Sequence, residues 1–154
     1  MMLCIFAATS IAADDVAAKM QSIMAKGPET KFFQVTADDV AGMIAAKKTD
    51  FVVVDVRPNP AEFGEGRIPG AIQILPQDIF KPESLKKLPK NKKVILVCVT
   101  GQVQNLPVVG LRMMGYDAWT MAFGYSSWIK GYRGGQRMQE VIQGAASKNY
   151  PLEK

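Results

Sequence analysis

Cys98 stands where an apolar run, Val94-Ile95-Leu96-Val97, gives way to a Cys-x-x-Gly turn that ends at Gly101. A thiol at a strand end facing the start of a helix meets two sources of positive potential. These are the helix dipole and the free backbone N–H groups of the intervening loop. Both favour the thiolate, which is the nucleophilic form of cysteine. Gly101 admits a positive φ, so the segment Val99-Thr100-Gly101-Gln102-Val103 can curl its N–H groups toward one point. Such a point suits an anion or an anionic leaving group. The competing reading is a buried, inert thiol. Cysteine is among the most buried residue types, and periodicity alone makes Val94–Val99 a core strand. The turn that follows at once is what moves Cys98 to a strand tip.

Other residues limit the chemistry. The chain has no histidine, which removes the commonest general base and the commonest metal ligand. Its two cysteines, Cys4 and Cys98, are far apart, so no structural zinc site is expected, and the thiol chemistry calls for no cofactor. A phosphatase of the Cys-x5-Arg design needs an arginine six residues after the cysteine to clamp phosphoryl oxygens. Gln104 occupies that place, which argues against phosphatase and arsenate-reductase chemistry. Asp55 and Arg57 close a second apolar run and read as an ion pair that fixes a loop. Glu62 reads as part of the same scaffold. Arg67 is open to two readings, a surface guanidinium or an anion ligand. The methionines at helical spacing, together with Trp119 and Trp128, read as packing.

Elements able to position these residues follow from the pattern. Val16, Met20, Ile23 and Met24 fall at helical spacing, and Gly27-Pro28 stops that helix. Thr36 and Asp39 form a capping-box pair before a helix that buries Val40, Met43 and Ile44, with Val35 and Val40 as the staple. Phe51–Val56 is a continuous apolar β-branched run, as expected for a strand covered on both faces, and Lys92–Val99 is the second long buried strand. A short strand is expected at 71–75 and another at 118–123. Prolines 76, 82 and 89 allow only short helical turns between them. The segment 105–116 reads as a helix with Asn105 as N-cap. Residues 125–135 read as a short helix with a glycine stop, and 136–146 as a final helix. Strands alternating with helices argue a parallel-rich α/β sheet, whose ligands lie beyond the carboxyl strand ends.

At 154 residues, with 48% hydrophobic and 21% charged residues, the chain has the composition of one globular domain. The net charge of +5 is spread over scattered or paired lysines with no aromatic interleaving, which argues against nucleic-acid binding. Residues 1–12 carry an apolar run and a small-x-small site at Ser10-Ile11-Ala12, expected to be a truncated export signal. That predicts an exported, periplasmic protein, with a cytoplasmic location if the segment is no signal. The run is too short to span a bilayer. Removal of the segment would leave Cys98 as the lone cysteine.

Three linked segments give the chain its resemblance to the rhodanese-like family, over roughly residues 33–133. "VVVDVRPNPAEFGEGRIPGAIQI" resembles the family's Asp-x-Arg, Glu-Phe and Ile-Pro-Gly-Ala segment. "ILVCVTG" matches the strand that leads into the catalytic cysteine loop, and "GLRMMGYDAWTMAFGYSSWIKGY" resembles the closing helix and strand. The resemblance implies a central, mostly parallel five-stranded sheet with helices on both faces. Residues 13–30 and 134–154 would be helical extensions. It further implies a sulfurtransferase in which Cys98 carries a persulfide, the Val99–Val103 N–H groups bind the substrate anion, and Asp55 and Arg57 give structural support. The donor would be a small sulfane-sulfur anion or persulfide, and the acceptor a thiol, including a protein thiol, or a small nucleophile. Active members often carry arginine one and five residues after the cysteine and a small hydroxyl residue at six. Val99, Val103 and Gln104 stand there, Arg67 replaces a histidine, and Tyr125 replaces a glycine. A charge-assisted hydrogen bond is worth ~1.5–3 kcal/mol, so the missing arginines weaken recognition of an anionic donor. Backbone stabilisation of the thiolate needs no side chain and survives. The alternative expectation is a non-catalytic, partner-binding module with a degenerate loop.

Overall fold

The computed structural model describes residues 13–148 and 150–153. The expected export signal and Cys4 lie outside the described residues. The five strands are β1 (Gln34–Val35), β2 (Phe51–Asp55), β3 (Ile72–Gln73), β4 (Lys93–Val97) and β5 (Asp117–Met121). They form one sheet in the order β1-β5-β4-β2-β3, and every pairing is parallel. The helices are α1 (Ala13–Met24), α2 (Ala37–Ala45), α3 (Ala61–Glu65), α4 (Pro82–Leu85), α5 (Leu106–Met113) and α6 (Arg133–Lys148). None of the described helices is long and apolar enough to cross a membrane.

The central strands are apolar on both faces because both faces are covered. Val94 and Leu96 of β4 join Val54, Val56, Val108 and Leu111 in one layer, against which α1 supplies Ile23. Ile95 and Val97 join Val40, Val53, Met121 and Tyr125 in the other. This is the strand alternation carried through into two cores. Cys98 belongs to the first layer. β2 and β4 are in register from Phe51–Lys93 to Asp55–Val97, so Asp55 and Cys98 reach the same carboxyl edge.

Local signals account for most boundaries. The Thr36–Asp39 capping box forms, with Asp39 N–H donating to Thr36 Oγ1 at 3.0 Å and Thr36 N–H to Asp39 Oδ2 at 2.8 Å. These bonds, the backbone one foremost, hold the Asp39 carboxyl below its usual range.

Two expectations change. Asn105 makes no side-chain cap; a 3₁₀ turn, Val103–Asn105, runs straight into α5, and its Val103 carbonyl takes the Leu106 N–H. The short helix expected over 125–135 is a 3₁₀ turn, Gly124–Ser127, followed by Gly131 at φ +73°, and the expected stop, Gly134-Gly135, lies in the first turn of α6. Gly134 is there because a Cβ would stand 2.5 Å from Ser126 Oγ and 2.8 Å from Val99 Cγ1.

Candidate active site

Cys98 lies one residue past β4 and is 1% exposed. Its backbone is held from three directions. Its N–H donates to Gln104 Oε1 at 2.6 Å, its carbonyl accepts from Tyr125 N–H at 2.8 Å, and Gly124 packs against that carbonyl. A Cβ on Gly124 would lie 2.2 Å from the carbonyl oxygen, and its φ of +55° suits glycine. Gly101 turns the loop with φ +93° and packs on the Phe123 backbone. Among the described residues, none of the five N–H groups from Val99 to Val103 donates a hydrogen bond to the protein. Buried or half-buried N–H groups are normally paired. This run of open donors is the local form of an anion-binding loop.

The positions where active relatives of the resembled family carry arginine are packing positions here. Val103 packs on the layer that contains Cys98. Val99 is half-buried against Gly134 of α6. Gln104, buried, bridges the loop to β5, since its Nε2 donates to the Met121 carbonyl at 2.5 Å. Gln104 thus positions the Cys98 backbone. The sequence marked it only as standing where a phosphatase has arginine and active members of the resembled family have a small hydroxyl residue. The extra length over a small hydroxyl residue was the available signal.

Asp55 and Arg57 meet in a buried, bidentate pair. Arg57 Nη2 donates to Asp55 Oδ2 at 2.7 Å, its Nε reaches both carboxylate oxygens, and Nη2 also donates to the Gly66 carbonyl at 2.6 Å. Its guanidinium lies 3.8 Å from the Tyr125 ring centroid. Burial opposes the charge on Arg57, but the Asp55 carboxylate outweighs it and raises the pKa. Glu62 extends the cluster through Tyr132 Oη and Arg133 Nη2, each at 2.5 Å. Burial alone would raise the Glu62 pKa; the bonds from Tyr132 and Arg133 overcome it and lower the pKa.

Tyr125 fills the family's glycine position with a purpose of its own. Its hydroxyl accepts from Ile68 N–H at 3.0 Å and donates to Asp55 Oδ2 at 2.9 Å. Burial, with Asp55 beside it, raises its phenol pKa. Asp55 joins Tyr125 on one side of the sheet, whereas the Cys98 side chain packs with Val94 and Leu96 on the other.

Arg67 is exposed, and its contacts are with Phe63. Nη1 donates to the Phe63 carbonyl at 3.4 Å, and the guanidinium sits 4.8 Å from the ring centroid. The structure does not bring it to the Val99–Val103 loop. Two cavities do flank that loop. One, about 180 Å³, is walled by Thr100, Gly101, Gln102, Gln104 and Phe123 on the side of β5. The other, about 390 Å³, lies between Thr100 and Gln102 and the α6 residues Arg137, Met138, Val141 and Ile142. Among the described residues no group of three His, Cys, Asp or Glu side chains is placed to hold a metal ion.

A five-stranded parallel sheet with a cysteine loop at its carboxyl edge defines the class of protein. The sequence profile of the rhodanese-like domain matches residues 36–131, and the chain belongs to that family. A rhodanese-like domain protein from Staphylococcus aureus is 28% identical, with a TM-score of 0.56, over 64% of this chain and 93% of that one. A rhodanese-related protein from Thermoplasma volcanium is 27% identical, with a TM-score of 0.56, over 66% of this chain and 95% of that one. A protein from Rhodopseudomonas palustris described as a possible tyrosine phosphatase shares the fold at 19% identity, with a TM-score of 0.55, over 77% of this chain and 92% of that one. No curated protein matches the chain.

Proposed function

We propose that the protein is a sulfurtransferase that carries sulfane sulfur on Cys98. The run of open N–H donors from Val99 to Val103, beside a cysteine at the carboxyl edge of the sheet, is the observation that supports this most. The Cys98 thiolate attacks the outer sulfur of a sulfane donor. With thiosulfate as donor, its S–S bond breaks and sulfite leaves with the electron pair. The outer sulfur stays on Cys98 as a persulfide, whose negative charge the loop N–H groups receive. An acceptor thiolate then attacks the terminal sulfur, and the Cys98 thiolate leaves. No external oxidant or reductant enters, because the sulfur moves between nucleophiles at constant oxidation state. Without arginine at Val99 or Val103, backbone donors carry the recognition of the anion.

The test is intact-mass spectrometry after incubation with thiosulfate or polysulfide, followed by cyanolysis. The expected result is a gain of one sulfur atom that cyanide removes and that Cys98→Ser abolishes. No sulfur gain from either donor overturns the reading. A second reading, a partner-binding domain without turnover, draws on the burial of Cys98 at 1% exposure. It predicts an unmodified mass under the same conditions.

A further inference from the structure

α6 begins at Arg133, beyond the last residue of the family match at 131, yet it is built onto the cysteine loop. Tyr132 and Arg133 tie its start to Glu62, and Gly134 lets its first turn press on Val99 and Thr100. One turn further on, the helix turns Met138, Val141 and Ile142 to the cavity it shares with Thr100 and Gln102. Val141 is 57% exposed and Ile142 64% exposed, so neither is spent on the core. Arg137 lines the same cavity. Its pair with Glu140, at 3.0 Å between side chains 75% and 64% exposed, is a solvated surface pair that an incoming anion can displace.

A cavity of about 390 Å³ matches small-molecule sites, which are mostly apolar with a few polar groups that fix orientation. Thiosulfate has no apolar part and would leave the α6 wall unused. We propose that this cavity binds the organic body of the sulfur donor, a small thiosulfonate or persulfide with an apolar group and an anionic end. Arg137 and the loop face its charge, while Met138, Val141 and Ile142 cover its hydrocarbon. α6 then supplies, from outside the segment that matches the family, the cation that the loop lacks. The proposal rests on the sulfur-transfer reading for its choice of ligand, and its test separates the two.

Benzenesulfonate, which has no sulfur to transfer, is titrated by calorimetry into the Cys98→Ser protein. Saturable binding is expected, weakened about tenfold by Val141→Asp or by Arg137→Ala. Circular dichroism checks that these exposed substitutions leave the fold intact. In the unmodified chain, the ratio of kcat/KM for benzenethiosulfonate to that for thiosulfate should exceed one and fall in Val141→Asp. Absence of benzenesulfonate binding, or binding indifferent to both substitutions, overturns the pocket. Binding as expected with no sulfur gained on Cys98 from any donor upholds the pocket and overturns the transfer reading.

Discussion

Two groups of residues at the carboxyl edge of the sheet handle polarity in opposite ways. In the cluster of Asp55, Arg57, Glu62 and Tyr125, buried charges and hydroxyls all have partners within the protein. In the Cys98 loop, five successive N–H groups have none among the described residues. A satisfied buried network fixes geometry and has little left to offer a ligand. An unsatisfied row of donors costs stability and is kept where something else is to be bound. The first is the frame and the second the proposed site, although the sequence writes the frame in the more conspicuous residues.

The largest effect should come from breaking the frame. Arg57→Ala strips the buried Asp55 carboxylate of its partner and should cost about 3–5 kcal/mol in a denaturant titration. A loss under 1 kcal/mol would mean that the pair does not hold the edge together. Gln104→Ala comes next. It leaves the Cys98 N–H buried without an acceptor, an expected cost of about 1–3 kcal/mol. It should also slow sulfur loading on Cys98, while Gln104→Glu, which keeps an acceptor there, restores part of the rate. Loading as fast in Gln104→Ala as in the parent would remove Gln104 from the positioning of the cysteine.

Glu62 gives the comparison a pH signature. Its folded pKa lies below the usual 4.5. Its stabilisation is therefore complete above the unfolded value and is lost as pH falls through the folded one. Stability should decline from about pH 4.5 downward, and Glu62→Gln should flatten that decline. An unchanged acid limb would refute the assignment. The smallest effect belongs to Arg67. Arg67→Ala should stay within about 0.5 kcal/mol of the parent and leave the mass gain on Cys98 intact, since both Arg67 contacts are with Phe63. A clear loss of sulfur loading would return Arg67 to the anion site.

Local chemistry made the main frame of the fold legible. The capping box at Thr36–Asp39 and the β-branched runs of β2 and β4 are short-range signals, and their elements lie at or within a residue or two of where they were expected. The helix start at 133 was less legible, because Gly134 and Gly135 look like a stop. Only the closeness of Val99, Thr100 and Ser126 explains a glycine inside that first turn. The Asn105 cap failed for a related reason, since the preceding 3₁₀ turn had already met the helix's first donors.

By itself the sequence determined the class: parallel α/β, a cysteine at a strand end, and a loop that glycine can curl. Those depend on periodicity and on residues near one another in the chain. Tertiary structure decided the roles. It put Asp55 and Cys98 in opposite layers of one sheet, gave Tyr125 to Asp55 and Ile68 across long sequence separations, and spent Gln104 on the Cys98 backbone. It also brought α6 against the loop. Which partner satisfies a buried polar group, and which donors stay open, depends on where distant segments meet, and no local pattern carries that information.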